Sequence, residues 1–195
     1  MPSTTSSAAR DRILATAHDL FYRDGIRATG VDRLIAEAGV TKVTFYRHFP
    51  SKDDLVRAFL AYRHDGWMAW FIDALGRRGA DMPAPDGSSL LLLADALDEW
   101  CALPVFRGCA FINTVVELAD ALPDAVGVAR AHKDDMTEVI TQLLPASPAR
   151  EALAQAAAMA FDGAIVQAQM APDAARRRAA ADVLRRMLRA LVASV

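Results

Sequence analysis

The sequence predicts an all-helical fold, and three observations carry that expectation. Apolar residues recur at i, i+3, i+4 and i+7, as in Ile13, Leu14, Ala17, Leu20 and Phe21. Capping hydroxyls, glycines and prolines flank these runs in the way that helix starts and stops do. No segment shows the apolar–polar alternation or the β-branched density of a strand.

In chain order, residues 1 to 8 are small and polar and read as a loose tail, with the first helix following from about Ala9 and closing at Gly25. A second, short helix carries Val31, Leu34, Ile35 and Ala38 on one face. Its start is marked twice: Thr29 stands three residues before Asp32, a capping-box spacing, and Gly30 is also a competent N-cap. Gly39 ends it, because glycine tolerates the left-handed conformation of a tight reversal. Thr41 then caps a helix from Lys42 to His48, whose inward side is Phe45, with Val40 and Phe49 closing its ends. A helix of this length does not stand alone, so it must be held from beneath. Phe49-Pro50 breaks the chain direction, Ser51 and Asp54 form a second capping box, and Phe49 is placed to pack on Leu55.

Helix, glycine turn, helix and capped third helix form the outline of a helix-turn-helix DNA reader. The residues left facing outward, Lys42, Val43, Thr44, Tyr46, Arg47 and His48, suit a groove. Lysine or arginine donates to guanine O6 and N7, threonine reaches several base edges and valine methyls meet a thymine methyl, while tyrosine and histidine reach phosphate. Lys52 projects from a helix N-terminus, where backbone N–H groups and an ammonium together favour a phosphate.

The run G-V-T-K-V-T-F-Y-R-H-F-P-S-K-D-D-L resembles the signature of the tetracycline-repressor (TetR) family of bacterial transcriptional regulators, over about residues 10 to 60. The resemblance implies an N-terminal three-helix DNA-binding domain, placed here at 1–50, and a helical effector-binding and dimerisation domain at 51–195. It makes Lys42, Val43 and Thr44 base readers, and Thr29, Tyr46, His48 and Lys52 phosphate clamps. Two positions depart from the usual pattern: Gly30 stands where threonine or serine often caps, and Val43 where glycine is frequent.

Beyond Lys52, the positions Leu55, Val56, Phe59, Leu60, Trp67, Trp70, Phe71 and Leu75 predict one long helix. It spans roughly 37 Å at about 1.5 Å per residue, and is the natural lever between the two domains. Gly66 marks a place where it can bend. Gly76 to Gly87, with three glycines and two prolines, reads as a turn-rich loop within the second domain. Ser88 is expected to cap a helix that Pro104 ends. Further helices are expected over Val105 to Ala121, Asp124 to Leu144, Pro148 to Met170 and Asp173 to Val195.

The last two differ from the others. One is rich in alanine and contains Gly163, so another helix can approach it closely; the other carries Val183, Leu184, Met187, Leu188, Leu191, Val192 and Val195 as a stripe. Two such helices from each of two subunits make a four-helix bundle, and the resemblance implies the same homodimer. The stripe is also consistent with core inside a single chain.

Charge and composition narrow the function. The 195 residues hold 22 basic and 24 acidic side chains, which excludes a generally basic protein. Up to Arg63, however, ten basic residues stand against seven acidic ones, a net +3, while the remainder carries −5, so the positive excess sits with the proposed reader. The N-terminus has no apolar core for a signal peptide, and the longest apolar run, Leu90 to Ala94, is far too short for a membrane span. A cytoplasmic protein is expected, with Cys101 and Cys109 as reduced thiols.

Four histidines without partners at metal-ligand or triad spacing, and the lack of a phosphate loop, predict no enzyme, no metal and no cofactor. The partners expected are double-stranded operator DNA, a second copy and an unidentified small-molecule effector. Aromatic supply suggests Trp67, Phe71, Trp100, Cys109, Phe111, Asn113, Met136 and Phe161 for the effector pocket, although the same residues also suit a core. In many members of the resembled family an R-G-C-x-x-x-N run lines or flanks that pocket, and Arg107 to Asn113 matches it. If Cys109 and Asn113 lie on one helix they share a face, four residues apart. Alternatives are a regulator that senses oxidants or electrophiles through Cys109, and a helical interaction module without DNA binding.

Overall fold

Between Thr4 and Ala9 no glycine or proline stops a helix, so α1 (Thr4–Asp24) starts inside the segment expected as tail. The structure, a computed structural model, describes residues 4–80 and 84–193. The first three residues of the expected tail, residues 81–83 of the turn-rich loop and Val195 of the last stripe lie outside them. Every regular element among the described residues is helical, and no described helix is long and apolar enough to cross a membrane. Contacts divide the chain into two units, one running through Gly66 and taking in Ala110–Arg130, the other holding Trp67–Cys109 and the chain from Ala131 on.

In the first unit α1 packs against α2 (Val31–Ala38) and α3 (Lys42–His48), and α2 against α3. Ile13, Ala17 and Leu20 of α1, Leu34 of α2, Phe45 of α3 and Leu55 of α4 (Lys52–Gly76) are each at most 1% exposed. Burying Phe45 contributes roughly 1.5–3 kcal/mol, a large share of what holds a seven-residue helix in place. The first turns of α4 belong here because Phe59 meets Phe21 edge-on at 5.4 Å and the Arg63 guanidinium lies 4.2 Å from the Tyr22 ring. The unit extends to Gly66, and α4 continues through Gly66 without interruption. The unit also takes in α6 (Ala110–Leu118) and the start of α7 (Pro123–Gln142). Arg57 of α4 reaches Asp124 of α7 at 2.6 Å.

In the second unit α9 (Ala174–Val192) packs on α8 (Arg150–Gln169) and on α5 (Leu92–Ala102). Ala154, Ala157 and Ala164 of α8 are buried, and their small side chains let α9 come close. Asp173 caps α9 by accepting from the Arg176 N–H at 2.8 Å. Arg77 and Arg78 both donate to Glu99 of α5 and hold its carboxyl down to about 2.

Two expectations for this region are corrected. Ser88 opens a 3-10 turn, Ser88–Leu91, and α5 proper begins at Leu92. The helix expected from Val105 starts only at Ala110, because a turn closes from the Phe106 N–H to the Leu103 carbonyl and Gly108 sits at φ +81°. Cys109 therefore precedes the helix that carries Asn113, and the shared helical face expected for them does not form.

Candidate nucleic-acid interface

Helix α3, the candidate reader, is built as its sequence requires. Thr41 caps α3 by accepting from the Thr44 N–H at 3.1 Å, and Gly39 reverses the chain at φ +61°. Phe45 is fully buried, with Phe49 sealing the end of the helix at 2% exposed. Around the other side Lys42, Tyr46 and Arg47 are exposed, and Val43 is 70% exposed. Thr44 and His48 are half-buried, and the Thr44 hydroxyl pairs with that of Thr41 at 2.9 Å. Tyr46 leans edge-on against Phe45 with ring centroids 5.3 Å apart, which orients its phenol while leaving it in solvent. Lys42, Val43, Tyr46 and Arg47 are thus presented to solvent on one short helix, with Thr44 and His48 half-buried at its edges.

Two of the expected phosphate contacts are engaged elsewhere. Thr29 is fully buried, and its hydroxyl donates to the Gly25 carbonyl at 2.7 Å, so Gly30 is left as the N-cap of α2 with no side-chain cap. Lys52 is half-buried; its ammonium donates to the Ile26 carbonyl at 2.6 Å and lies 6.0 Å from the Phe21 ring centroid. Burial pushes the Lys52 pKa down, while the carboxylates of Glu117 and Asp53 oppose that shift. Ser51 caps α4 as expected, its hydroxyl accepting from the Asp54 N–H at 3.0 Å and donating to the Asp54 carboxylate at 2.7 Å. Thr29 and Lys52 instead hold the turn between α1 and α2, a task that residue type alone does not reveal.

The residues expected to line an effector pocket are divided between the units. Phe111 and Asn113 belong to the first, the former buried and the latter half-buried. Trp67, Phe71, Trp100, Cys109, Met136 and Phe161 are buried in the second. There Trp67 stacks on Phe71 at 4.7 Å and meets Trp100 and His132 edge-on at 5.6 and 5.2 Å. Phe71 in turn lies 5.7 Å from Phe161. The Trp67 Nε1 is buried and has no hydrogen-bond partner among the described residues, which leaves an unsatisfied donor. His132, 2% exposed, is a member of this cluster that sequence reasoning missed, because no pattern ties a single histidine to an aromatic wall. Both cysteines are buried, and burial pushes the Cys101 thiol up to about 12. A thiol in that state is a poor nucleophile.

The second unit also has an open apolar face. Met159 and Gly163 of α8, Met170, and Val183 and Met187 of α9 line a groove of about 820 Å³. Met159 is 76% exposed and Met187 47%.

Residues 13–59 match the family described as bacterial regulatory proteins, tetR family. YerO, an uncharacterised helix-turn-helix-type transcriptional regulator of Bacillus subtilis, is 36% identical over 53 residues, 27% of this chain, and the match spans only 18% of that relative's length. Over nearly the whole chain the fold is similar to that of a TetR-family transcriptional regulator from Streptomyces coelicolor, with 30% identity, a TM-score of 0.79, and 97% and 96% of the two chains covered. A cysteine-substituted form of the TetR-family regulator CifR, solved with 26-base-pair double-stranded operator DNA, shares the fold at 22% identity, with a TM-score of 0.72 over 92% of this chain and 95% of that one.

Proposed function

The chain belongs to the TetR family of bacterial regulatory proteins, and on that premise we propose that it is a cytoplasmic, ligand-responsive repressor that binds operator DNA as a homodimer. The observation that carries the reading is the outer face of α3, where Lys42, Val43, Tyr46 and Arg47 stand exposed above a buried Phe45. In the proposed mode Lys42, Val43 and Thr44 meet base edges, and Tyr46, Arg47 and His48 meet phosphates. Two copies place two reading helices in successive major grooves, so the operator is pseudo-palindromic with half-sites about 34–36 Å apart.

The open α8–α9 face supports the second copy as its occupant. Gly163 is exposed, with open space where a Cβ would lie, so another helix can approach there, while Met159, Val183 and Met187 supply apolar area. The effector is proposed to lie against the aromatic cluster of the second unit, where an acceptor would satisfy Trp67 Nε1. An effector that prefers a conformation with misplaced reading helices weakens DNA binding by its differential affinity, and DNA weakens effector binding by the same factor.

The test is selection of duplexes from a random-sequence pool by the full chain, followed by titration of the enriched duplex at several salt concentrations. A two-fold-related motif with affinity that falls steeply with salt is expected. No enrichment over the starting pool would refute the proposed function.

A further inference from the structure

The five residues Gly25–Thr29, which lead from α1 into α2, are pinned by side chains from three places in the first unit. Thr29 Oγ1 donates to the Gly25 carbonyl, and Lys52 Nζ to the Ile26 carbonyl, which also accepts from the Thr29 N–H at 3.3 Å. The third side chain comes from 90 residues away: Glu117 of α6 accepts from the Arg27 N–H through Oε2 at 2.8 Å. Its approach to the turn is close. Gly25 stands at φ +92°, and a Cβ there would lie 3.3 Å from both carboxylate oxygens of Glu117. The positive φ favours glycine at this position, and a Cβ there would press on the carboxylate, which would have to give by a few tenths of an ångström.

We infer that Glu117 is a positioning residue for the reading helix, its carboxylate fixing the α1–α2 turn and, through α2, the pose of α3. The path is short. Arg27 is three residues from the N-cap Gly30, and α2 packs on α3. The turn is thus held by a cation, Lys52, on the Ile26 carbonyl and by an anion, Glu117, on the Arg27 N–H. The inference rests on the proposed function only in that the positioned helix is taken to read DNA.

The experiment compares Glu117→Ala, Glu117→Gln, Glu117→Asp and, as a control on the same helix, Val116→Ala, whose parent side chain is 82% exposed. In the full chain without DNA, hydrogen exchange of the Arg27 amide is expected to speed up about tenfold in Glu117→Ala, the loss of one charge-assisted hydrogen bond. Glu117→Gln should stay within about threefold of the parent, since its carboxamide oxygen still accepts. Affinity for a duplex enriched by the parent chain should fall by about tenfold in Glu117→Ala, with the same salt slope, because no phosphate contact is removed. Glu117→Gln should restore most of that affinity, and Val116→Ala should match the parent in both assays.

Unchanged Arg27 exchange in Glu117→Ala would overturn the inference, as would parental affinity in that variant. If Glu117→Ala fails to fold, Glu117→Asp decides: it keeps the charge but withdraws the acceptor by about one C–C bond, roughly 1.5 Å, and parental Arg27 exchange in it would overturn the inference equally. A parent chain that enriches no duplex refutes the proposed function, and the exchange measurement still decides the role of Glu117.

Discussion

Replacing Lys52 with methionine should weaken operator binding without changing how that binding responds to salt. Methionine keeps an unbranched stem beside Phe21 and removes only the ammonium that donates to the Ile26 carbonyl at 2.6 Å. A hydrogen bond from a charged donor is worth about 1.5–3 kcal/mol, and partial desolvation of the ammonium offsets some of it, which leaves about 1–2 kcal/mol of stability. For a chain of this size that lowers Tm by about 2–8 °C. The turn and the reading helix beyond it then lose definition, and affinity falls.

If Lys52 instead clamps a phosphate, its loss removes one counterion-releasing contact per protomer. The slope of log K against log salt then becomes shallower by about 0.9 for each copy, with Tm unchanged. Fluorescence anisotropy with the enriched duplex, read between about 50 and 200 mM salt, separates the two. Arg47→Met is the positive control, because Arg47 is exposed on α3 and should change the slope without changing Tm. A shallower slope in Lys52→Met with the parental Tm would refute the anchoring role.

Lys42→Ala or Val43→Gly should relax or redirect the selected motif at one position of each half-site, with a discrimination loss of about 1–3 kcal/mol per base; recovery of the parental motif would remove both from base reading. Met187→Asp should raise the dimer dissociation constant at least thirtyfold, the equivalent of about 2 kcal/mol for an unpaired charge in an apolar interface, and sedimentation at the parental mass would refute the α8–α9 dimer. Glu99, with an ordinary value of 4.5, is held down to about 2 by Arg77 and Arg78. Since the folded value lies below the unfolded one, its contribution is present above about pH 4.5 and lost as the pH falls toward 2. Urea unfolding should therefore find Glu99→Gln less stable than the parent at pH 7 and the two chains converging at about pH 2; a constant gap across that range would show that the ionic contacts contribute nothing.

What the sequence made legible was local. Gly39, Thr41 and Ser51 each act within four residues of themselves, and each caps or reverses the chain as its type and spacing predict. Phe45 was readable as the inward residue of α3 because a seven-residue helix has room for only one central anchor. The sequence offers Thr29 and Lys52 as phosphate contacts because of their donor groups; what it does not encode locally is the acceptor, which in this structure is a turn carbonyl for each. Glu117 had no legible signal, since its partner lies 90 residues away and a glutamate on a short helix is usually solvated. The late start of α6 did have one: Gly108, the residue whose left-handed backbone keeps the helix from starting at Val105. The contacts of α4 with α1, such as Phe59 on Phe21, join residues far apart in the chain and have no local signal.

The stripe on α9 shows why core and interface were inseparable from sequence. Successive helical residues are rotated by about 100°, so Leu184 with Leu188 and Val183 with Met187 form two parallel rows, not one. The inner row is fully buried and packs within the second unit, where α9 meets α5 and α8. The outer row is 44% and 47% exposed and opens beside Met159 and Gly163 of α8. Both rows are apolar and both have helical spacing, so periodicity assigns them to a single broad face; only the position of α5 and α8 divides them. The division has an energetic consequence. Because the inner row completes the core of the second unit by itself, charge placed on the outer row at Met187 should dissociate the proposed dimer while leaving each protomer folded, whereas truncating Leu184 to alanine should cost about 2–5 kcal/mol in the protomer itself.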